Sequence, residues 1–211
     1  MINLQEKNKA MVESLIALGC LKNPRIIDAF LKTPRHIFVP KKNLNFAYYD
    51  IALPSLKKQT ISQPYTVANM LEALSPDIGD NILDIGSGTG WTTCILSRIV
   101  GKRGYVTGLE IEPELVNFSK KNIKKLGIKN VEIILSDGKG GYNKNSPYDC
   151  VLINAGCDNI PKPVIEQTKR AGRIVAPINV NDHQELTLFQ KISDEELTRT
   201  NLGKYIFIRL R

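Results

Sequence analysis

The chain has 211 residues, and 29 lysine and arginine residues against 21 acidic residues give it a formal net charge of +8. This length lets one domain bury a core without disulfides or metal ions, and 42% hydrophobic with 24% charged residues excludes a disordered or fibrous chain. Four cysteines without a C-x-x-C pair exclude a disulfide-rich scaffold and a zinc ribbon, so we predict no metal site.

The first third of the chain is predicted to be helical, with one long loop. Apolar residues at helical spacing predict a helix over 2–18, and an Asn-Pro start predicts a second helix over 24–31. Residues 35–63 show no periodic pattern, and an irregular segment of this length in a compact domain is either functional or a sign that its elements are wrongly assigned. We therefore predict one compact domain in which an extension, residues 1–63, packs on a core, residues 64–211.

From residue 64 onward, helices and strands alternate. An apolar stripe at positions i, i+3, i+4 and i+7 predicts a helix over 64–74. The pattern then predicts, in chain order, strand 81–85, helix 91–100, strand 105–109, helix 113–126, strands 131–135 and 150–155, helix 161–170, strand 173–177 and an antiparallel pair, 186–191 with 204–209. This alternation indicates a doubly wound α/β fold that binds its ligands at the carboxyl ends of the parallel strands.

A glycine-rich loop follows the first of these strands. The predicted cofactor loop consists of Gly86, Ser87, Gly88, Thr89 and Gly90. Glycine permits a tight turn and the close approach of a ligand to the backbone. A dinucleotide fingerprint needs another glycine where the chain has Trp91, so the spacing favours a different nucleoside ligand.

Acidic residues stand at three successive strand ends. Glu110, followed by Ile111, comes 20 residues after the last glycine of the loop, where a carboxylate accepts both ribose hydroxyls. Asp137, followed by Gly138, is placed to accept from the amine of adenine, and Asp84 is placed to pair with a ligand ammonium group. A ligand with an amino group, a ribose and an adenine but no phosphate suits this set, and S-adenosylmethionine is such a ligand.

Further segments carry a more specific pattern; they are 33–40 (TPRHIFVP), 49–54 (YDIALP), 59–68 (QTISQPYTVA), 83–91 (LDIGSGTGW) and 171–177 (AGRIVAP). Together they resemble the protein-L-isoaspartate O-methyltransferase family, within the class I methyltransferases, over about residues 10–191. The resemblance implies a Rossmann-like, mostly parallel sheet of seven strands. It also implies methyl transfer from S-adenosylmethionine to the free α-carboxylate of L-isoaspartyl residues in damaged proteins or peptides. The products are S-adenosylhomocysteine and an ester that collapses to a succinimide. Lys58 departs from the pattern, since many members have glycine there.

Ser62 is the candidate catalytic residue. It stands two residues before Pro64, and a hydroxyl with free backbone N–H groups at a helix start forms an anion site. Local sequence alone leaves Ser62 equally compatible with a simple N-cap, and the resemblance favours contact with the acceptor carboxylate. The resemblance also implies that Thr60 and Ile61 line the cofactor face. Because a carboxylate is ionised at pH 7, we expect no general base.

Two other functions remain open. The charge of +8 and the lysines between 120 and 129 suit a methyltransferase acting on tRNA or another nucleic acid. Segment 59–68 disfavours that function, because base-modifying sites need stacking aromatics. The fold also suits a non-catalytic cofactor-binding module.

We predict a monomer whose partners are isoaspartyl peptides. We also predict a cytoplasmic location and no membrane partner, because no signal-peptide pattern and no apolar run of roughly 18 residues is present.

Overall fold

The computed structural model describes residues 3–193 and 196–210. Its α-helices are α1 Leu4–Ala17, α2 Pro24–Lys32, α3 Pro64–Leu74, α4 Trp91–Val100, α5 Pro113–Lys125 and α6 Lys162–Glu166. Its strands are β1 Leu53–Pro54, β2 Thr60–Ile61, β3 Asn81–Ile85, β4 Tyr105–Glu110, β5 Val131–Leu135, β6 Tyr148–Ile153, β7 Thr168–Val180, β8 His183–Lys191 and β9 Leu197–Tyr205. The first helix was predicted from residue 2, which lies outside the described residues.

Strands β3 to β9 form one seven-stranded sheet in the order β5-β4-β3-β6-β7-β8-β9, and β1 pairs with β2 in a separate hairpin. Strand β3 pairs in parallel with both β4 and β6, and β4–β5 and β6–β7 are also parallel pairs. The last two pairs, β7–β8 and β8–β9, are antiparallel. The predicted doubly wound, mostly parallel sheet is confirmed. The chain runs from β3 to β4 and β5 in one direction across the sheet, and from β6 to β9 in the opposite direction. This reversal beside β3 places a ligand crevice at the carboxyl end of β3.

Two hydrophobic clusters cover the two faces of this sheet. Alternate residues of β3 belong to different clusters, Ile82 to one and Leu83 to the other, as the two-residue period of a strand requires. The larger cluster packs its sheet face against α1 to α5, and the smaller one packs against Val164 of α6. Because residues from both sides of position 63 share the larger cluster, the extension contributes to the common core. The boundary at 63/64 stays a prediction.

Local sequence explains where the first helices begin. Asn3 and Glu6 form a capping box at α1, and the Asn23 side chain accepts from the Arg25 amide at 2.9 Å to cap α2. Trp91 then joins α4 to α2. Its ring lies edge-on against Phe30, with ring centroids 5.6 Å apart.

Three expectations about local structure were wrong. Residues 35–63 are not wholly irregular, since they contain the β1–β2 hairpin and short 3-10 turns. The helix predicted over 161–170 ends at Glu166, because Thr168 pairs with Tyr148 of β6 and so begins β7. The last strand, predicted over 204–209, covers 197–205 instead; beyond it the chain leaves the sheet, and Ile206 is 99% exposed.

Candidate active site

The glycine loop lies at the ligand crevice, between the end of β3 and the start of α4. Gly86, Gly88 and Gly90 have φ angles of 76°, 55° and 86°, a backbone region that residues with a Cβ adopt only at a cost. The amides of Gly86 and Ser87 both donate to the Leu109 carbonyl, at 2.8 and 2.9 Å. These bonds hold the loop against β4 and leave its outer surface to the cleft.

Glu110, the last residue of β4, is 5% exposed and connects the loop to the next helix. Its Oε2 accepts from the Gly88 amide at 2.8 Å, and its Oε1 accepts from the Glu112 amide at 2.9 Å. Each carboxylate oxygen has a second lone pair. The two bonds therefore orient the carboxylate while leaving acceptor capacity on the cleft side, the arrangement that ribose hydroxyls need.

Asp84 lies beneath the loop and is fully buried. Its Oδ2 accepts from the Thr93 hydroxyl at 2.5 Å, and its Oδ1 accepts from the Asn154 amide at 2.6 Å. Burial raises the pKa of Asp84 to about 6, although both hydrogen bonds lower it. Asn154 rather than Asp84 reaches the cleft, so any influence of Asp84 on a ligand passes through Asn154.

The turn after β5 contains the third predicted acid. The exposed Asp137 lines the cleft, and its Oδ1 accepts from the Lys139 amide at 3.0 Å in an Asx turn. Gly138 has a φ of 80°, and a Cβ there would lie 2.4 Å from Cγ2 of Ile85. The structure thus gives Gly138 a packing contact with β3 and leaves Asp137 facing the cleft.

Ser62 lies opposite the glycine loop, directly after β2. The N-cap of α3 is Gln63, so Ser62 is not the cap. The backbone N–H groups at the start of α3 were expected to be free, but the amide of Tyr65 donates to Oδ1 of Asp50 at 2.8 Å, and the Gln63 side chain donates to Oδ2 of Asp50 at 3.0 Å. The start of α3 thus already holds one carboxylate of the chain, next to the half-buried Ser62.

The loop, the strand ends and residues 59–66 enclose an open cleft of about 910 Å³, a size typical of small-molecule sites. The predicted site residues that line it are Thr60, Ile61, Ser62, Gly86, Ser87, Gly88, Thr89, Glu110, Ile111 and Asp137. Asp84, Gly90 and Gly138 lie behind its wall.

Part of the cleft wall was not predicted. Residues 202–210 line it, as does Asn154. The chain end is held there by two backbone bonds of Gly156, one donated to the Ile208 carbonyl and one accepted from the Leu210 amide, both at 2.8 Å. These partners lie about fifty residues apart in the chain, and no local motif marks them.

Two buried polar atoms at the cleft have no hydrogen-bond partner within the described residues: Oγ of Ser87 and Oδ1 of Asn154. Within residues 3–193 and 196–210, no group of three or more His, Cys, Asp and Glu side chains could hold a metal ion. Over the same residues, no helix combines the length and apolar character that crossing a membrane requires.

Solved structures with similar folds cover nearly the whole chain. A protein-L-isoaspartate O-methyltransferase matches 96% of this chain with a TM-score of 0.88 and 32% identity, and this chain spans 65% of that longer one. A Plasmodium falciparum structure, described as a putative enzyme of this kind in complex with S-adenosyl-L-homocysteine, matches 97% of this chain and 98% of its own. Its TM-score is 0.85 at 24% identity, which shows a shared fold.

Sequence comparisons agree with the fold. A protein-L-isoaspartate O-methyltransferase from Pyrococcus horikoshii is 40% identical over 98% of this chain and 94% of that relative. One from Methanospirillum hungatei is 41% identical over 97% of this chain and 93% of its own length. The family model "Protein-L-isoaspartate(D-aspartate) O-methyltransferase (PCMT)" matches residues 6–211. The chain therefore belongs to the protein-L-isoaspartate(D-aspartate) O-methyltransferase family.

Proposed function

We propose that this chain transfers a methyl group from S-adenosylmethionine to the free α-carboxylate of L-isoaspartyl residues in damaged proteins and peptides, which starts their repair through a succinimide. One observation carries the proposal: Ser62 and the glycine loop line the same cleft, at the carboxyl ends of the parallel strands. A methyl donor bound on the loop and an acceptor carboxylate bound at Ser62 would then be neighbours. Family membership supports the same reaction.

The cleft residues fit the cofactor group by group. Glu110 accepts from the ribose hydroxyls, and Asp137 accepts from the amine of adenine. Ser87 and Asn154 line the cleft at the end of β3 and beside it, where the amino-acid portion is placed. When bound, S-adenosylmethionine supplies an electrophilic methyl group on a sulfonium cation. The chain's own task is to hold this group in one orientation and to keep the cleft side of Ser62 open.

On the acceptor side, the chain supplies position rather than proton transfer. A substrate α-carboxylate is ionised at neutral pH, so no group has to remove a proton from it. The Ser62 hydroxyl donates to the carboxylate and aims one oxygen at the donor. Alignment of this kind can lower the activation barrier by up to roughly 7–11 kcal/mol.

A radiolabel assay tests the reaction directly. Transfer of labelled methyl to an isoaspartyl peptide is expected, and transfer to the matched aspartyl peptide is not. Ser62→Ala removes one hydrogen bond to a charged group, so we expect kcat to fall at least tenfold while the Kd for S-adenosylhomocysteine changes less than threefold. The control is Ser55→Ala, which removes a buried hydroxyl from the same hairpin outside the cleft lining. An unchanged kcat in folded Ser62→Ala protein would reject the role of Ser62.

The same assay with tRNA as the acceptor tests the nucleic-acid alternative. Lys120, Lys121, Lys124, Lys125 and Lys129 are all exposed. If that alternative holds, label appears in tRNA, and the amount transferred falls steeply as the salt concentration rises.

A cytoplasmic monomer completes the proposal. The four cysteines are buried and free, as in a reducing compartment. Light scattering after gel filtration tests the monomer.

A further inference from the structure

Arg35 is a charged side chain that lies wholly inside the protein, at 0% exposure. Its guanidinium donates to five backbone carbonyl oxygens. The Nη–O distances are 2.9 Å to Ala47, 3.3 Å to Tyr49, 3.0 Å to Ile51, 3.5 Å to Ile61 and 2.9 Å to Ser62. These acceptors come from both ends of residues 47–62, which we call the acceptor segment. One side chain therefore ties the two ends of this segment together.

The cation has unusual surroundings for a core. Among the described residues, no carboxylate forms an ion pair with Arg35. The carbonyl dipoles offset its charge, together with the more distant Asp50 carboxylate and the ring of Trp91, whose centroid lies 5.2 Å from Cζ. Burial lowers the pKa of Arg35 to about 10, so the group still carries its charge at neutral pH. Burying an unpaired charge is costly, and hydrophobic packing at this position would avoid that cost. A need to fill space in the core therefore does not explain why this position holds an arginine.

The contacts of Arg35 reach both halves of the cleft. The carbonyl of Ser62 is fixed by Nη2, which restrains the backbone that carries the Ser62 hydroxyl. The carbonyls of Tyr49 and Ile51 flank Asp50, whose carboxylate accepts from the start of α3. On the other side, Trp91 is the first residue after the glycine loop. Arg35 thus joins the part of the cleft that takes the acceptor to the part that takes the donor.

We propose that Arg35 is a positioning residue for methyl transfer: it holds the acceptor segment so that the Ser62 hydroxyl keeps a fixed place relative to the glycine loop. Apart from the two-residue strands β1 and β2, the acceptor segment has no regular backbone pairing of its own. The forked guanidinium replaces that pairing with several directed bonds, which a lysine ammonium cannot reproduce. This inference rests on the proposed function, because it assigns the Ser62 side of the cleft to the acceptor.

The test compares two substitutions of Arg35 with a matched substitution elsewhere. Arg35→Lys keeps the charge and loses the fork, and Arg35→Gln loses the charge. The control, Lys191→Gln, also replaces a buried cation that donates to backbone carbonyls, those of Ile165 and Thr168 at 2.8 Å, but away from the cleft lining. Each folded variant is measured for kcat with an isoaspartyl peptide, for the Kd of S-adenosylhomocysteine, and for hydrogen exchange of peptides covering 47–62 and 82–91.

For both Arg35 variants, we expect kcat to fall at least tenfold, the Kd for S-adenosylhomocysteine to stay within threefold, and exchange to become at least tenfold faster in 47–62 but not in 82–91. Lys191→Gln is expected to keep kcat within twofold. The proposal is overturned if exchange in 47–62 is unchanged, if cofactor affinity falls in parallel with kcat, or if neither Arg35 variant folds with saturating S-adenosylhomocysteine. An inactive parent protein refutes the proposed function instead, and the exchange data still decide whether Arg35 holds the segment.

Discussion

Glu110 offers the sharpest test of how the cleft binds its cofactor. Glu110→Gln keeps the size of the side chain but converts one carboxylate oxygen into an NH2 group. The amide of Gly88 or of Glu112, now bonded at 2.8 and 2.9 Å, then faces another donor, and the ribose hydroxyls lose a charged acceptor. A hydrogen bond to a charged group contributes about 1.5–3 kcal/mol, which corresponds to a roughly 10- to 150-fold weaker affinity for S-adenosylhomocysteine.

Isothermal titration calorimetry with S-adenosylhomocysteine measures this loss. Glu114→Gln is the control, because the Glu114 carboxylate is 58% exposed, pairs with Lys57 at 2.9 Å and lies outside the cleft lining. The control is expected to bind within twofold of the parent protein. Circular dichroism establishes that both variants are folded. An affinity of folded Glu110→Gln within threefold of the parent would show that the carboxylate does not hold the ribose.

Two further predictions concern stability. Burial raises the pKa of Asp84 from its ordinary value of 3.8 to about 6 in the folded protein, so the folded state favours the protonated form. The stability that Asp84 contributes is therefore fully present below about pH 4 and is lost as the pH rises to about 6, a change of about 3 kcal/mol. Urea denaturation at a series of pH values should show this decline in the parent and not in Asp84→Asn; parallel curves would contradict it. Gly138→Ala places a Cβ 2.4 Å from Ile85 Cγ2 at a φ of 80°, so we expect a loss of about 2–5 kcal/mol in the free energy of unfolding. In Gly140→Ala the new Cβ has nothing within 4 Å, and an equal loss there would remove the steric explanation.

The parts of the fold that depend on neighbouring residues were predictable from sequence. The periodic stripe and Pro64 at the first position predicted α3 with its observed bounds, and the strand, glycine loop and helix over 81–100 followed the same logic. The glycine loop and Glu110 belong to this class, because a strand end and the turn after it adjoin in both sequence and space. Such features carry their own local signal.

Other features are set by distant pairing. The stretch 161–170 has a helical composition, but pairing of Thr168 with Tyr148 ends α6 early and starts β7. The apolar alternation near the carboxyl end resembles a strand, but residues 206–210 leave the sheet to form part of the cleft wall. A local pattern cannot distinguish these outcomes, since tertiary contacts override propensity. The sequence prediction therefore missed one side of the cleft.

Lys58 and Arg35 show two different limits of prediction within one short region. Lys58 has a φ of 58°, so the glycine that many family members have there suits the left-handed backbone of the turn. The departure was visible in the sequence, and only its geometric meaning needed the structure. Arg35 differs, because the atoms it binds are backbone carbonyls, which every residue has and no motif marks. A buried cation can therefore organise an active-site loop without an ion-paired carboxylate to indicate it, and only the folded positions of 47–62 identify what it holds.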